Sequence, residues 1–142
     1  MKTVRGYIFS RPFLDERAPQ HVQNIIIRDF CKKNFYHYLL SASEYRMEKS
    51  YSILEDLTSN SKGVDGIVAY SLLMLPENKI QRTKILNKFI KKKKFFCFAV
   101  EDITVKNSKD IKTINDLWEI KKALKGAYQG KWKKEILLRN YI

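Results

Sequence analysis

The sequence predicts a three-layer α/β sandwich, in which helices cover both faces of a mostly parallel sheet of four to five strands. Two observations predict this fold. Short apolar runs alternate four times with segments whose apolar residues recur at helical spacing, which is typical of strand–helix–strand units. Each apolar run also ends abruptly in polar residues, as buried parallel strands do at the carboxyl edge of a sheet.

The strands are predicted where apolar residues stand between turn signals. The first, residues 3–9, stops at Ser10 and is followed by a polar loop. The second, residues 35–40, leads into another polar loop at 41–46. The third and fourth strands are short apolar runs suited to the centre of a sheet, at residues 66–70 and 95–100.

The helices are predicted from apolar residues three and four positions apart. The first two span residues 20–33 and 50–58. The third begins at Pro76 and runs to residue 90, because the first helical position needs no N–H donor and Glu77 suits the positive helix end. The fourth begins at Ser108, whose hydroxyl can cap it.

Length and composition indicate one domain. The chain has 142 residues, of which 44% are apolar, and this suits a globular protein and excludes a disordered one. We predict a single α/β domain over residues 1–124 and a basic amphipathic tail over 125–142, packed on the body or on a partner. There is no bilayer-spanning run and no signal peptide, so we expect a cytoplasmic protein.

The formal net charge of +13 favours anionic partners: nucleic acid, a membrane surface, or a phosphorylated substrate. The alternative is that lysine simply fills the solvated faces. Cys31 and Cys97 both lie in apolar patterns, which predicts reduced thiols in the core. No Cys/His cluster has metal-ligand spacing, so neither a metal nor a cofactor is expected.

The strand ends and the start of the first helix would meet at one edge of the sheet. Backbone donors at a helix N-terminus, together with guanidinium groups, bind phosphate or carboxylate. The candidate ligand-binding residues are Arg11, Arg17, Gln20, Gln23, Arg46, Ser71 and Glu77. The candidate catalytic residues are Ser10, His21 and Tyr70. The alternative is that the arginines pair with surface carboxylates.

A reaction does not follow from these residues. Ser10 needs an activating base to act as a nucleophile, and His21 is the candidate, although such a histidine often serves as a cap or a packing residue. There is no glycine between the first strand and the first helix, which excludes a Rossmann or Walker phosphate loop. The sequence therefore leaves open whether the protein is an enzyme.

The order of strand, Ser/Arg loop, helix, Glu-Tyr-Arg loop and the segment Val64–Leu72 resembles the catalytic domain of serine recombinases. The resemblance implies a resolvase-like fold. In that family a serine attacks a DNA phosphate, but its position falls on Arg11, with Ser10 one place early. The segment that should carry phosphate-gripping arginines, Leu72–Glu77, contains none. We therefore take the fold from this resemblance and not the reaction.

A second resemblance covers nearly the whole chain up to about Leu124. Its motifs are Arg5–Phe13, Pro19–Asn24, Ile27–Asp29, Tyr38–Ala42 and Tyr70–Asn78, and they are similar to those of sporadic carbohydrate cluster proteins. These small bacterial proteins are encoded among genes for surface polysaccharide synthesis. The resemblance implies a role in lipopolysaccharide or capsule biosynthesis and no particular reaction.

Three functions remain open. The first is binding or acting on a sugar nucleotide or phospho-sugar at the carboxyl edge. The second is a non-catalytic, regulatory role toward another enzyme of the cluster, through Trp118 and Trp132, with a homodimer also open. The third, nucleic-acid binding by a degenerate recombinase-like protein, is disfavoured because aromatic residues do not alternate with the lysine runs.

Overall fold

The computed structural model describes the backbone of residues 1–14 and 16–141, and the side chains of residues 1–14 and 16–126. In this part of the chain the strands are β1 Thr3–Ile8, β2 His37–Ser43, β3 Gly66–Ala69, β4 Phe95–Phe98 and β5 Ile103–Val105. The helices are α1 Gln20–Lys33, α2 Ser52–Ser59, α3 Lys79–Lys91 and α4 Ser108–Tyr141, and a short 3₁₀ helix spans Leu72–Met74.

The strands form one sheet in the order β2-β1-β3-β4-β5. The first four run parallel, and β5 pairs antiparallel with β4. This arrangement confirms the predicted mostly parallel sheet. β5 was not predicted, because three residues are too few to show a periodic pattern.

Alternating side chains of the strands build two cores, one on each face of the sheet. Val4 and Ile8 of β1 pack with Ile27 and Cys31 of α1 on one face. Tyr7 of β1 belongs to the other core, which α2, α3 and α4 cover with buried residues that include Leu54, Leu86, Phe89, Ile114 and Trp118. The molecule is therefore a three-layer sandwich, as predicted, with one helix against three.

Two predicted boundaries are wrong for identifiable reasons. β2 continues through Ser43, and its pairing with β1 shifts register between Arg5 and Tyr7. Because of this bulge the strand includes the polar residues Ser41 and Ser43, and the sequence pattern therefore does not show where the strand ends. α3 begins at Lys79 and not at Pro76, because Oδ1 of Asn78 accepts the Gln81 N–H at 3.0 Å and caps the helix there. Glu77 accordingly precedes α3.

The backbone of α4 continues through Gly126 to Tyr141. The predicted packing of the tail on the body or on a partner, including the role of Trp132, concerns side chains outside the described residues. Among the described residues, no helix is both long enough and apolar enough to cross a bilayer.

The two buried thiols predict a loss of stability in alkali. Burial raises the pKa of Cys31 and of Cys97 from 9.0 to about 11. Unfolded thiols ionise first, so this stabilisation is complete below pH 9 and is lost as the pH rises toward 11. We expect the free energy of unfolding to fall by about 2 kcal/mol between about pH 8 and pH 10.

Denaturant titrations at several pH values measure this fall. The Cys31→Ala/Cys97→Ala protein is the control, because its free energy of unfolding should depend less steeply on pH, whatever its absolute stability. An equal slope in the two proteins would contradict the assignment.

Candidate functional site

A cavity of about 220 Å³ opens at the carboxyl edge of the sheet, between the end of β1, the start of α1 and the loop after β2. Its lining residues are Phe9, Ser10, Arg11, Arg17, Ala18, Pro19, Gln20 and Arg46. The structure thus brings together five of the residues that the sequence placed at one site, namely Ser10, Arg11, Arg17, Gln20 and Arg46.

The first turn of α1 forms one wall of the cavity through Pro19 and Gln20. Within the part of the chain that the structure describes, no side chain caps this helix end, and no acidic residue lies in its first turn. The backbone ladder starts when the Gln23 N–H donates to the carbonyl of Pro19 at 3.0 Å. The N–H groups before it have no partner within the helix, and the positive end of the helix dipole lies at the cavity wall.

Two exposed guanidinium groups, those of Arg17 and Arg46, add positive charge to the same cavity. Among the described side chains neither forms an ion pair. Glu16, beside Arg17 in the chain, lies 3.9 Å from Nζ of Lys125. The described part of the cavity therefore carries positive charge without a neutralising carboxylate in contact, which suits an anion.

Arg11 fixes the loop that carries Arg46. Arg11 is 9% exposed, and its guanidinium donates to three backbone carbonyls, those of Tyr45 at 2.7 Å, Met47 at 2.8 Å and Ser50 at 2.7 Å. The same group lies 4.4 Å from the ring centroid of Phe9. Arg11 was predicted as a ligand contact, and the structure gives it a further role, because most of its donors are used by the main chain.

Glu44 is a buried carboxylate that joins β1 to α2. It is 2% exposed and accepts hydrogen bonds from the Tyr7 hydroxyl at 2.8 Å and from the N–H groups of Ile53 and Leu54, both at 3.1 Å. The N–H of Tyr45 donates to it at 3.0 Å. Burial and this carboxylate raise the pKa of Tyr7 above its usual range. Glu44 therefore caps α2 from a distant loop.

Gln23, a predicted ligand contact, and His21, a predicted catalytic residue, are not part of the cavity lining. The side-chain amide of Gln23 donates to the carbonyls of Phe9 at 2.9 Å and Ala18 at 2.8 Å, and it accepts from the Phe9 N–H at 3.0 Å. Both of its donors thus hold the backbone beside the cavity. His21 is exposed, and among the described residues no hydrogen bond joins it to Ser10.

Tyr70 and Ser71 lie outside the cavity lining. Ser71 is buried, and its hydroxyl donates to Glu101 at 2.9 Å, while the same carboxylate accepts from Nζ of Lys121 at 2.7 Å. The ring of Tyr70 contacts Phe13, with centroids 5.9 Å apart. Among the described residues, Tyr70, Ser71 and Glu77 are not part of the cavity lining. The cavity therefore contains only part of the predicted set of site residues.

No protein-family model matches the chain, and no curated protein is significantly similar to it in sequence. A solved structure of a resolvase family site-specific recombinase from Streptococcus pneumoniae has a TM-score of 0.57 and 13% identity, over 98% of this chain and 99% of that one. The N-terminal catalytic domain of TP901-1 integrase has a TM-score of 0.56 and 12% identity, over 84% and 98%.

These matches confirm the resolvase-like α/β fold, which the sequence had predicted. Identities this low carry no information about a substrate. These two structures do not show the resemblance to sporadic carbohydrate cluster proteins, which stays a prediction from the sequence.

Proposed function

We propose that the carboxyl-edge cavity binds the phosphate part of a phosphorylated or nucleotide-linked sugar used in bacterial surface polysaccharide synthesis. One observation carries the proposal: Arg17 and Arg46 line the cavity without an ion-pair partner among the described residues, beside the uncapped start of α1. Guanidinium groups and helix N-termini recognise phosphate oxygens through charge-assisted hydrogen bonds. The sugar part of the proposed ligand rests on the resemblance of the sequence motifs to those of sporadic carbohydrate cluster proteins.

The size of the cavity limits which part of the ligand it takes. Pockets for drug-sized ligands measure about 300–1,000 Å³, whereas this one measures about 220 Å³. A phosphate or diphosphate group fits, and the nucleoside and sugar would lie outside. Affinity for the ligand should therefore depend chiefly on its phosphate groups.

The proposal is for binding and includes no reaction. The position at which the recombinase resemblance places a nucleophilic serine is Arg11, and its guanidinium is engaged with loop carbonyls. Ser10 lines the cavity, but no described residue forms a hydrogen bond with its hydroxyl that would activate it. DNA cleavage by the recombinase route is consequently not proposed.

Thermal unfolding with a panel of probes tests the proposal. The panel is inorganic pyrophosphate, a uridine diphosphate sugar, and the same sugar without phosphate. We expect the first two to stabilise the protein, by about 2.7 kcal/mol at roughly 100 times the dissociation constant, and the uncharged sugar to have no effect. A panel that leaves the unfolding curve unmoved would contradict the proposal.

Matched arginine variants locate the binding. Arg46→Ala should abolish the stabilisation by pyrophosphate, and Arg28→Ala should retain it. Both side chains are exposed, but Arg28 lies outside the cavity lining, against the ring of Tyr38. Because exposed substitutions change stability by about 0.5 kcal/mol or less, a lost response in Arg46→Ala reports binding. Equal responses in the two variants would place the ligand elsewhere.

A further inference from the structure

The amino edge of the sheet, opposite the cavity, carries a basic surface with an apolar centre. We call it the amino-edge patch and define it by Lys2, Phe35, Lys62, Lys92, Lys93 and Lys94. In a parallel sheet the strands begin at this edge, and crossover helices such as α1 and α3 end there. Both helices end in lysine, with Lys32 and Lys33 in α1 and Lys88 and Lys91 in α3.

Backbone hydrogen bonds hold the parts of this edge together. The N–H of His37 donates to the carbonyl of Lys2 at 2.8 Å, and the N–H of Asp65 to that of Thr3 at 2.7 Å. The N–H of Phe95 donates to the carbonyl of Asp65 at 3.2 Å. The segments that enter β1, β2, β3 and β4 are therefore direct neighbours, and the patch lysines belong to these segments.

The lysines of the patch have no carboxylate partner among the described residues. Lys92 donates to the carbonyls of Thr58 and Ser59, both at 2.8 Å, and Lys94 bonds the carbonyls of Ser61 and Val64. Carbonyl oxygens satisfy an ammonium group without cancelling its charge. Lys2, Lys62 and Lys93 are exposed, and within the described chain none of the patch lysines forms an ion pair.

Phe35 is the apolar centre of the patch. It is 78% exposed, and its backbone has a φ of 58°, in the left-handed region. A bulky residue rarely adopts this conformation, which Asn tolerates more easily. An open depression lies beside it, lined by Met1, Lys2, Asn34, Phe35, Tyr36 and Asp65.

We propose that the amino-edge patch docks the protein on an anionic lipid bilayer. The phosphate headgroups would contact the lysines, and the ring of Phe35 would enter the boundary between headgroups and acyl chains, since basic residues around an apolar side chain suit that interface. The charge complementarity selects this partner, and one protruding ring among the patch residues offers no row for stacking successive bases. Docked in this way, the protein keeps its carboxyl-edge cavity toward solvent.

Co-sedimentation with vesicles tests the docking and is independent of the sugar-phosphate proposal. We expect binding to vesicles of mixed phosphatidylglycerol and phosphatidylcholine, weakening with salt, and none to pure phosphatidylcholine. Phe35→Asn should lower the affinity roughly tenfold without unfolding the protein, because Asn tolerates the positive φ. Ile80→Gln is its control, since Ile80 is 80% exposed on α3, outside the patch, and should bind like the unchanged protein.

Charge reversals supply the second arm. Lys2→Glu/Lys62→Glu should weaken vesicle binding roughly thirtyfold or more, at about fivefold for each lysine lost from the surface. Lys112→Glu/Lys122→Glu has the same net charge, changes exposed residues of α4, and should bind almost normally. Equal losses in both pairs, or equal binding to both kinds of vesicle, would overturn the proposal. So would binding to a single-stranded oligonucleotide with none to vesicles.

Discussion

Replacing Glu44 with alanine is expected to lower the free energy of unfolding by about 4 kcal/mol, because it leaves four donors without their acceptor. Two of these, the Tyr7 hydroxyl and the Leu54 N–H, are bonded to Glu44 in a buried environment. The others are the N–H groups of Tyr45 and Ile53. Chemical denaturation monitored by circular dichroism measures the change.

Two variants separate the contributions of Glu44. Tyr7→Phe removes only the hydroxyl that donates at 2.8 Å and should cost about 1 kcal/mol. Glu44→Gln keeps the shape of the side chain and one acceptor oxygen. Its loss in free energy of unfolding should therefore lie between those of Tyr7→Phe and Glu44→Ala. A Glu44→Ala protein within about 1 kcal/mol of the unchanged one would show that water replaces the carboxylate at the start of α2.

Gly66→Ala is expected to cost about 3 kcal/mol, because overpacking a core displaces its neighbours. Gly66 is buried in the central strand β3, and a Cβ there would lie 2.5 Å from Cε2 and 2.6 Å from Cδ2 of Phe95. Phe95 is only 8% exposed, and its ring packs against that of Tyr36, with centroids 5.2 Å apart. It therefore has little room to move. Thermal and chemical unfolding measure the loss.

Gly126→Ala is the matched control for this substitution. Gly126 lies within α4, and apart from the backbone of this helix no described atom stands within 4 Å of the position of its Cβ. Alanine should therefore stabilise the protein there, by up to about 1 kcal/mol, through helix propensity alone. In a Phe95→Ala background Gly66→Ala should cost much less, since the two positions would then be uncoupled. A full cost in that background would contradict the contact.

The layered fold was predictable because its pattern repeats along the chain. The bounds of α1 were predicted correctly, since its apolar stripe is regular and Asn34 ends it with a side chain that bonds the Phe30 carbonyl at 2.8 Å. β2 was misplaced because the bulge opposite Gly6 draws Ser41 into the strand. A register shift depends on a neighbouring strand, and the local sequence does not show it.

The position of the candidate cavity was predictable from the sequence, but the contacts of its side chains were not. Polar residues at strand ends do gather at the carboxyl edge, which brought Ser10, Arg17 and Arg46 to one cavity. The same polarity also serves the backbone, as in Gln23 and Glu44. Whether a side chain meets a ligand or a neighbouring main-chain group is decided by distances between segments far apart in sequence.

The three hydrogen bonds from Arg11 to the 45–50 loop affect how a mutational scan of the cavity should be interpreted. An alanine at position 11 releases three carbonyls of the 45–50 loop and, with them, the placement of Arg46. The Arg11→Ala protein would bind the ligand weakly even if the guanidinium of Arg11 makes no contact with the ligand in the unchanged protein. Adding Arg46→Ala to it should then bring little further loss, and this epistasis would distinguish a residue that shapes the site from one that touches what enters it.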